Sequence, residues 1–403
     1  AVAICRKYSL AKIAFACPAK KADAFARAVV EGAGLGDFID DRFKSSPPKR
    51  KSLEVILVTD KKASASVRGG ANEAAAVVDA ANWARELVNA PNNVLTPEAL
   101  ASETSKMARG VKSLKLEILD EKKLKAENYG LINAVGGGAS APPRLIIARY
   151  TPPKRPRTKD HIVLVGKGVC FDTGGYSIKS ATGMVTMNGD MAGAAGVLGA
   201  MKAIAALELP VKVTAIVPAV INAVDAQAYM PGAIVGSKSG KTVWIDNTDA
   251  EGRLILADAL TRAGMEKADV IIDMATLTGA AVRALGPQCA ALFTDDKALE
   301  EALREAGDSS GDSLWPLPLN REYESALVHP LADVANTNMG MAAAGGGAIH
   351  AALFLKAFVP DGARWAHLDM SAAARAKSPT RYYNVGATGW GVRLLVDTLK
   401  REF

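Results

Sequence analysis

The 403-residue chain predicts an α/β fold, with a mixed, mainly parallel sheet flanked by helices in a large unit and a smaller α/β unit ahead of it. Three observations carry this. Apolar runs of strand length recur at 145–148, 161–165, 211–217, 270–272 and 365–368, unbroken rather than alternating, as strands buried on both faces read. Helical stretches fall between them, at 192–207, from Leu254, at 344–358 and from Gly391. The length exceeds what one ordinary core organises, so two units of unequal size are expected.

In chain order, residues 1–68 form the small N-terminal unit. Helical spacing over 23–30, a Pro-Pro loop at 44–48 and an apolar strand at 54–58 define it. An Ala-rich helix over 70–88, within a linking segment 69–90, stops at Asn89-Ala90-Pro91-Asn92-Asn93. The large unit covers 91–403. Thr96-Pro97-Glu98 opens its first helix with a cap residue and Pro at the first helical position. There is no internal repeat and no low-complexity tract.

Hydrophobic residues make up 49% and charged residues 23%, the balance of a soluble globular protein rather than a disordered one. The longest apolar candidate for a membrane span, 213–224, is cut by Pro218 and Asn222. The formal charge of +7 is modest, and the basic runs Lys49-Arg50-Lys51 and Lys154-Arg155-Pro156-Arg157 sit beside prolines, as solvated loops do. Four cysteines without CxxC spacing fit a reducing compartment, so a cytoplasmic location is expected. The N-terminus shows no signal-peptide pattern, and a start at Ala1 is compatible with removal of an organelle-targeting segment.

The chemistry concentrates in acidic clusters. Asp249 and Glu251 lie two apart, on one side of an extended segment, just before a helix expected from Leu254. Upstream, strand 161–165 runs into a Gly-dense segment bearing Lys167, Asp172 and Lys179, and Asp190 precedes the Ala-rich helix. All four carboxylates fall at strand ends or helix starts, the edge where such sheets build their sites. Two like charges about 4 Å apart repel by about 4 kcal/mol at an effective dielectric near 20, so a converged quartet needs cations. Two divalent ions would neutralise it. The four histidines show no HExxH or HxxEH spacing, which favours a carboxylate-bridged metal pair over a His-based zinc site. Lys167 is either a neutral amine ligand or an ion-pair partner of an aspartate.

Other signals carry less. Residues 236–242 fall one short of a phosphate loop and precede a strand, so a hairpin turn is expected there. Gly136-Gly137-Gly138 reads as a loop, no GxSxG surrounds any serine, Cys170 reads as a packed strand residue, and His329, His350 and His367 read as structural.

The complete segments NTDAEGR at 247–253 and GKGxxFDTGGxSIK at 166–179 resemble those of the leucyl aminopeptidase family of di-metal cytosol aminopeptidases. Similar stretches at 87–98, 275–280, 315–319, 346–349 and 387–392 extend the likeness from about residue 70 to the C-terminus. The resemblance implies a peptidase that removes one N-terminal residue, Leu or similar, from peptides by way of a metal-bridged water. It implies Lys167, Asp172, Asp190, Asp249 and Glu251 as ligands of two divalent ions (Zn or Mn, with Mg or Co as alternatives), Asp172 and Glu251 being shared. It implies Lys179 as the group that polarises the scissile carbonyl, and Arg253, with Gly252 and Leu277, as the holder of a bicarbonate general base. Met187, Thr276 and Gly279 would line the substrate pocket, and the assembly would be a homohexamer. Departures from the family pattern are the shortened N-terminal unit, Ser180, Asn188 and Ser371-Ala372-Ala373. The rival reading is a DNA-binding or regulatory relative that uses the basic loops.

Overall fold

The computed structural model describes residues 1–338, 345–380 and 382–403. Its centre is a nine-stranded sheet in the order Leu314–Pro316, Ala290–Thr294, Arg364–Asp369, Val270–Ala275, His161–Gly166, Lys212–Asn222, Arg144–Tyr150, Leu114–Leu119, with Gly168–Asp172 also pairing Lys212–Asn222. The four middle strands, from Arg364–Asp369 to Lys212–Asn222, are mutually parallel, and their outer neighbours Ala290–Thr294 and Arg144–Tyr150 pair antiparallel. The mainly parallel sheet expected from the unbroken apolar runs is therefore present.

Alternate side chains feed two cores. Ile146, Ile162, Leu164 and Ile272 belong to one buried cluster, together with residues of helices Ser64–Asn89, Ala192–Ala206 and Val392–Glu402. Leu145, Ile147, Val163, Val165 and Ile271 belong to the other, with helices Gly130–Gly136, Glu251–Met265 and Gly347–Lys356. The period of two along each strand thus makes a three-layer sandwich, both faces of the sheet being dry.

Several elements differ in extent from the sequence expectation. The strand expected at 211–217 continues to Asn222 through Pro218. Proline is tolerated because the neighbouring partner changes there: His161–Gly166 pairs up to Ile216, and Gly168–Asp172 begins opposite Ala219. Lys167 occupies that gap. The helix expected from Leu254 begins at Glu251. Glu251 is therefore helical, and the extended geometry expected to align it with Asp249 does not apply; a turn at 248–250 brings the two together. The helix expected over 344–358 is Gly347–Lys356, and Ala344 lies outside the described residues. Residues 236–242 form the expected hairpin, joining antiparallel strands Ile234–Gly236 and Thr242–Trp244. Thr96 caps Pro97–Ala108 as expected, its side chain accepting from the amide of Ala99.

At the N-terminus, parallel strands Lys12–Ala16 and Glu54–Val58 accompany helix Ala22–Asp37, which lies along Ser64–Asn89. Gly34 and Gly70 allow the close approach: a Cβ on Gly34 would lie 2.5 Å from Val78 Cγ1, and one on Gly70 2.3 Å from the Asp23 carbonyl. Arg85, fully buried, staples this region to the rest. It donates to the carbonyls of Leu35 (2.8 Å) and Ala387 (2.9 Å), and its guanidinium lies 4.0 Å from the centre of the Phe38 ring.

Candidate active site

The carboxyl ends of the central parallel strands meet in one place, and every acidic residue singled out above stands there. Two tight glycine contacts set the geometry. A Cβ on Gly193 would lie 2.1 Å from the Met274 carbonyl, and one on Gly166 2.7 Å from Ala194 Cα. The small residues let helix Ala192–Ala206 press its N-terminus onto the strand end, which brings Asp190 alongside Lys167. The Lys167 amide donates to the Met274 carbonyl at 3.0 Å, and its carbonyl accepts from the Ala194 amide at 2.9 Å.

Asp172, Asp249 and Glu251 present carboxylate oxygens within 4.8 Å of one another. Asp190 joins them through Lys167, whose Nζ lies 2.9 Å from both Asp190 Oδ2 and Glu251 Oε1 and donates to the Thr276 carbonyl at 2.8 Å. Lys179 Nζ lies 2.8 Å from Asp172 Oδ2 and 2.5 Å from Asp249 Oδ1. Lys167 stands in ion-pair contact with Asp190 and Glu251. Burial opposes its charge, but Asp190, Glu251 and Asp172 together outweigh that and raise its pKa. Lys179 follows the same pattern, burial being overcome by Asp172 and Glu251. The acids respond in the opposite sense. Burial, then repulsion from Asp172 and Glu251, pushes Asp249 up to about 7, and burial holds Asp190 well above the usual carboxylate range despite Lys167. With all four acids ionised, two lysines would leave the cup two positive charges short.

Donor geometry tests whether divalent ions fit. Asp190 Oδ2 and Asp249 Oδ1 are buried with no hydrogen-bond partner among the described residues, although each lies at ion-pair distance from a lysine nitrogen. Carboxylate oxygens gathered this closely, with only two ammonium groups among them, are a donor set that hard divalent cations take. The residues present fit such ions.

Beside the acids, Arg253 is buried, its Nη1 donates to the Asn336 carbonyl at 2.6 Å, and its Nε has no partner among the described residues. Burial lowers its pKa to about 10, with Glu251 and Asp369 opposing. Gly252 lies against the Lys167 side chain, 2.5 Å separating a built Cβ from Lys167 Cε. The Leu277 amide is engaged by Asp369 Oδ1 at 3.2 Å. Thr276 donates its hydroxyl to Asp190 Oδ1 at 2.7 Å. Met187 opens the short turn before Asp190 and is half-buried, and exposed Gly279 starts helix Gly279–Leu285.

Four residues escaped the sequence reading. Asn222 Nδ2 donates to Asp172 Oδ1 and to the Thr248 carbonyl. Tyr229 donates to that same carbonyl. Asn336 accepts from the Asp246 amide and donates to the Asn247 carbonyl, which fixes the start of the acidic turn. Asp369 accepts from Leu277, Thr278 and Ser371 beneath Arg253. A polar residue ending an apolar strand was the available signal for Asn222 and Asp369; for Asn336 there was none.

The match to known proteins bears directly on this cup. The family model for the cytosol aminopeptidase catalytic domain matches residues 82–396. The chain belongs to the cytosol aminopeptidase family. It is 43% identical over 382 residues to a probable cytosol aminopeptidase of Syntrophotalea carbinolica, covering 93% of this chain and 74% of that protein. It is 44% identical over 374 residues to one of Solibacter usitatus, covering 92% and 75%. Among solved structures, a tomato leucine aminopeptidase point mutant superposes with a TM-score of 0.90 at 36% identity, covering 100% of this chain and 77% of that one. The bottromycin maturation enzyme BotP in complex with Mn superposes with a TM-score of 0.88 at 36% identity, covering 97% and 83%. As a cytosol aminopeptidase relative, the chain is a hydrolase of metallo-exopeptidase type with an acidic cluster suited to divalent metal. No helix among the described residues is long and apolar enough to cross a membrane.

Proposed function

We propose that this protein removes single N-terminal residues from peptides, Leu and similar apolar side chains preferred, with two divalent ions (Zn or Mn, alternatively Mg or Co) held by Lys167, Asp172, Asp190, Asp249 and Glu251. One observation carries the reading: three carboxylates within 4.8 Å of one another, with a fourth tied to them through a buried lysine. The chemistry such ions supply is Lewis acidity toward the scissile carbonyl and a water made nucleophilic near neutral pH. The chain does the rest. Asp172 and Glu251 would be the ligands shared between the two ions. Lys167 serves as a ligand once it gives up its proton, which cations beside it favour. Lys179 polarises the carbonyl oxygen and holds the negative charge that develops on it. Arg253, whose Nε has no partner among the described residues, would hold a bicarbonate ion with Gly252 and Leu277 at its side, and that ion would supply the general base. The Leu277 amide must leave Asp369 to join that role. Met187, Thr276 and Gly279 form the pocket for the departing residue's side chain. The same reading brings the division into 1–68, 69–90 and 91–403, a homohexameric assembly and a cytoplasmic location.

Hydrolysis of Leu-p-nitroanilide with Mn or Zn tests it. Activity is expected to vanish on chelation, to return with metal, and to fall at least about a hundred-fold in Asp172→Asn and Glu251→Gln, where a ligand charge is lost. Unchanged turnover in both variants overturns the assignment. The nucleic-acid reading gains no support from the basic loops, where Arg50 pairs with Asp41 at 2.7 Å and Lys154 with Glu208 at 3.6 Å.

A further inference from the structure

We propose that Asn222 is the positioning residue that locks the two acidic loops into one cup, an inference that rests on the metal-site reading above. Asn222 ends strand Lys212–Asn222 in register with Asp172 and has no exposed surface. Its Nδ2 donates to Asp172 Oδ1 at 2.8 Å and to the Thr248 carbonyl at 3.0 Å. One amide group thus holds a carboxylate of the 166–179 segment and the backbone of the 247–253 segment at a set separation. Both partners accept only, so the nitrogen must face them, and the orientation of the amide is determined.

The surroundings reinforce the lock. The Asn222 carbonyl accepts from the amide and the hydroxyl of Thr173, at 3.0 and 2.9 Å, which pins the strand end to the Asp172 loop. Thr248 and Ser177 exchange hydrogen bonds, amide to hydroxyl, at 2.8 and 3.2 Å. Gly175, at φ +61, lets the loop close: a Cβ there would lie 3.0 Å from Asn222 Oδ1 and 2.9 Å from Thr248 Oγ1. Tyr229 supplies the second donor to the Thr248 carbonyl, at 2.8 Å. Asp249 follows directly from Thr248, so Asn222 orients Asp172 by direct contact and Asp249 through one peptide unit. Residues that orient a ligand in this way typically change metal affinity 10- to 100-fold when removed.

The test is Mn2+ titration of the chelator-treated full chain by calorimetry, beside thermal unfolding with and without Mn2+. Asn222→Ala is expected to bind Mn2+ about 10- to 100-fold more weakly, with a much smaller rise in Tm on adding Mn2+ than the parent shows. Asn222→Thr keeps a strand-forming side chain with one hydroxyl donor, enough for one of the two acceptors, and is expected to fall between; it carries the test where the alanine variant fails to fold. Tyr229→Phe, which leaves Asn222 in place, is expected to change Mn2+ affinity less than either. A purely structural Asn222 would lower Tm in the metal-free state and leave Mn2+ affinity as in the parent. Equal Mn2+ binding by the parent and Asn222→Ala or Asn222→Thr overturns this assignment alone; a parent that binds no Mn2+ overturns the metal-site reading as well.

Discussion

Gly252→Ala sets two physical effects against each other, and the sign of the outcome decides between them. Gly252 is the second residue of helix Glu251–Met265, where local propensity alone makes Ala better by about 1 kcal/mol. Packing says the reverse. A Cβ at 252 would lie 2.5 Å from Lys167 Cε, 2.6 Å from Nζ and 2.8 Å from Cδ, inside contact distance of three atoms. The lysine has nowhere to retreat, being wedged between Asp190 and Glu251 at 2.9 Å and the Thr276 carbonyl at 2.8 Å. Each ion pair is worth about 6 kcal/mol before desolvation at an effective dielectric near 20. Breaking a buried pair by displacing one partner costs about 3–5 kcal/mol net. After the helix gain, a loss of about 2–4 kcal/mol remains. Moving a group that carries the cluster by even about 1 Å is expected to lower activity about a hundred-fold. Thermal unfolding of the chelated protein and kcat/KM on Leu-p-nitroanilide read both. A Gly252→Ala protein as stable and as active as the parent would refute the claim that Lys167 is confined by the Gly252 backbone.

Three further outcomes follow from the geometry. Lys179→Met keeps the stem but removes the charge facing Asp172 and Asp249, so kcat should fall about 10²- to 10³-fold with KM changed far less; an equal rise in KM with kcat unchanged would place Lys179 in ground-state binding instead. Glu266, held down to about 2 by hydrogen bonds from Arg149 and then Arg262, has a folded pKa below its unfolded one; its contribution is fully present above about pH 4.5 and fades as pH falls toward 2. Because the group is partly solvated, Glu266→Gln should lose only about 1 kcal/mol at pH 7 in denaturant melts, and the gap to the parent should narrow below pH 4.5. Arg85→Met should cost about 2–4 kcal/mol by leaving the buried carbonyls of Leu35 and Ala387 without their donor, with earlier protease cleavage before residue 60 as the structural readout.

Much of the catalytic unit was legible because its information is local. Asp172, Asp190, Asp249 and Glu251 sit beside glycines, strand ends and helix starts, and the sheet's parallel order brings those ends together. The start of helix Glu251–Met265 was misplaced because its first three residues, Glu251, Gly252 and Arg253, are polar or flexible, and apolar periodicity begins only at Leu254. The edge strand Leu114–Leu119 escaped notice because Lys115 and Glu117 interrupt its apolar run, as an antiparallel strand at a sheet margin allows. Asn336 could not be found at all: it meets Asp246, Asn247 and Arg253 across more than eighty residues of chain, in a stretch without periodic pattern. Asn222 was visible only as a polar interruption that argued against a membrane span. Its partnership with Asp172 appears once the register of strands Gly168–Asp172 and Lys212–Asn222 is known.

Anomalous diffraction from crystals soaked with Mn2+ and measured at the manganese edge tests the central claim most directly. Two peaks are predicted inside the cup, one among Lys167, Asp172, Asp190 and Glu251 and one among Asp172, Asp249 and Glu251. A difference map without manganese among these side chains, in crystals that bind it elsewhere or not at all, would contradict the account.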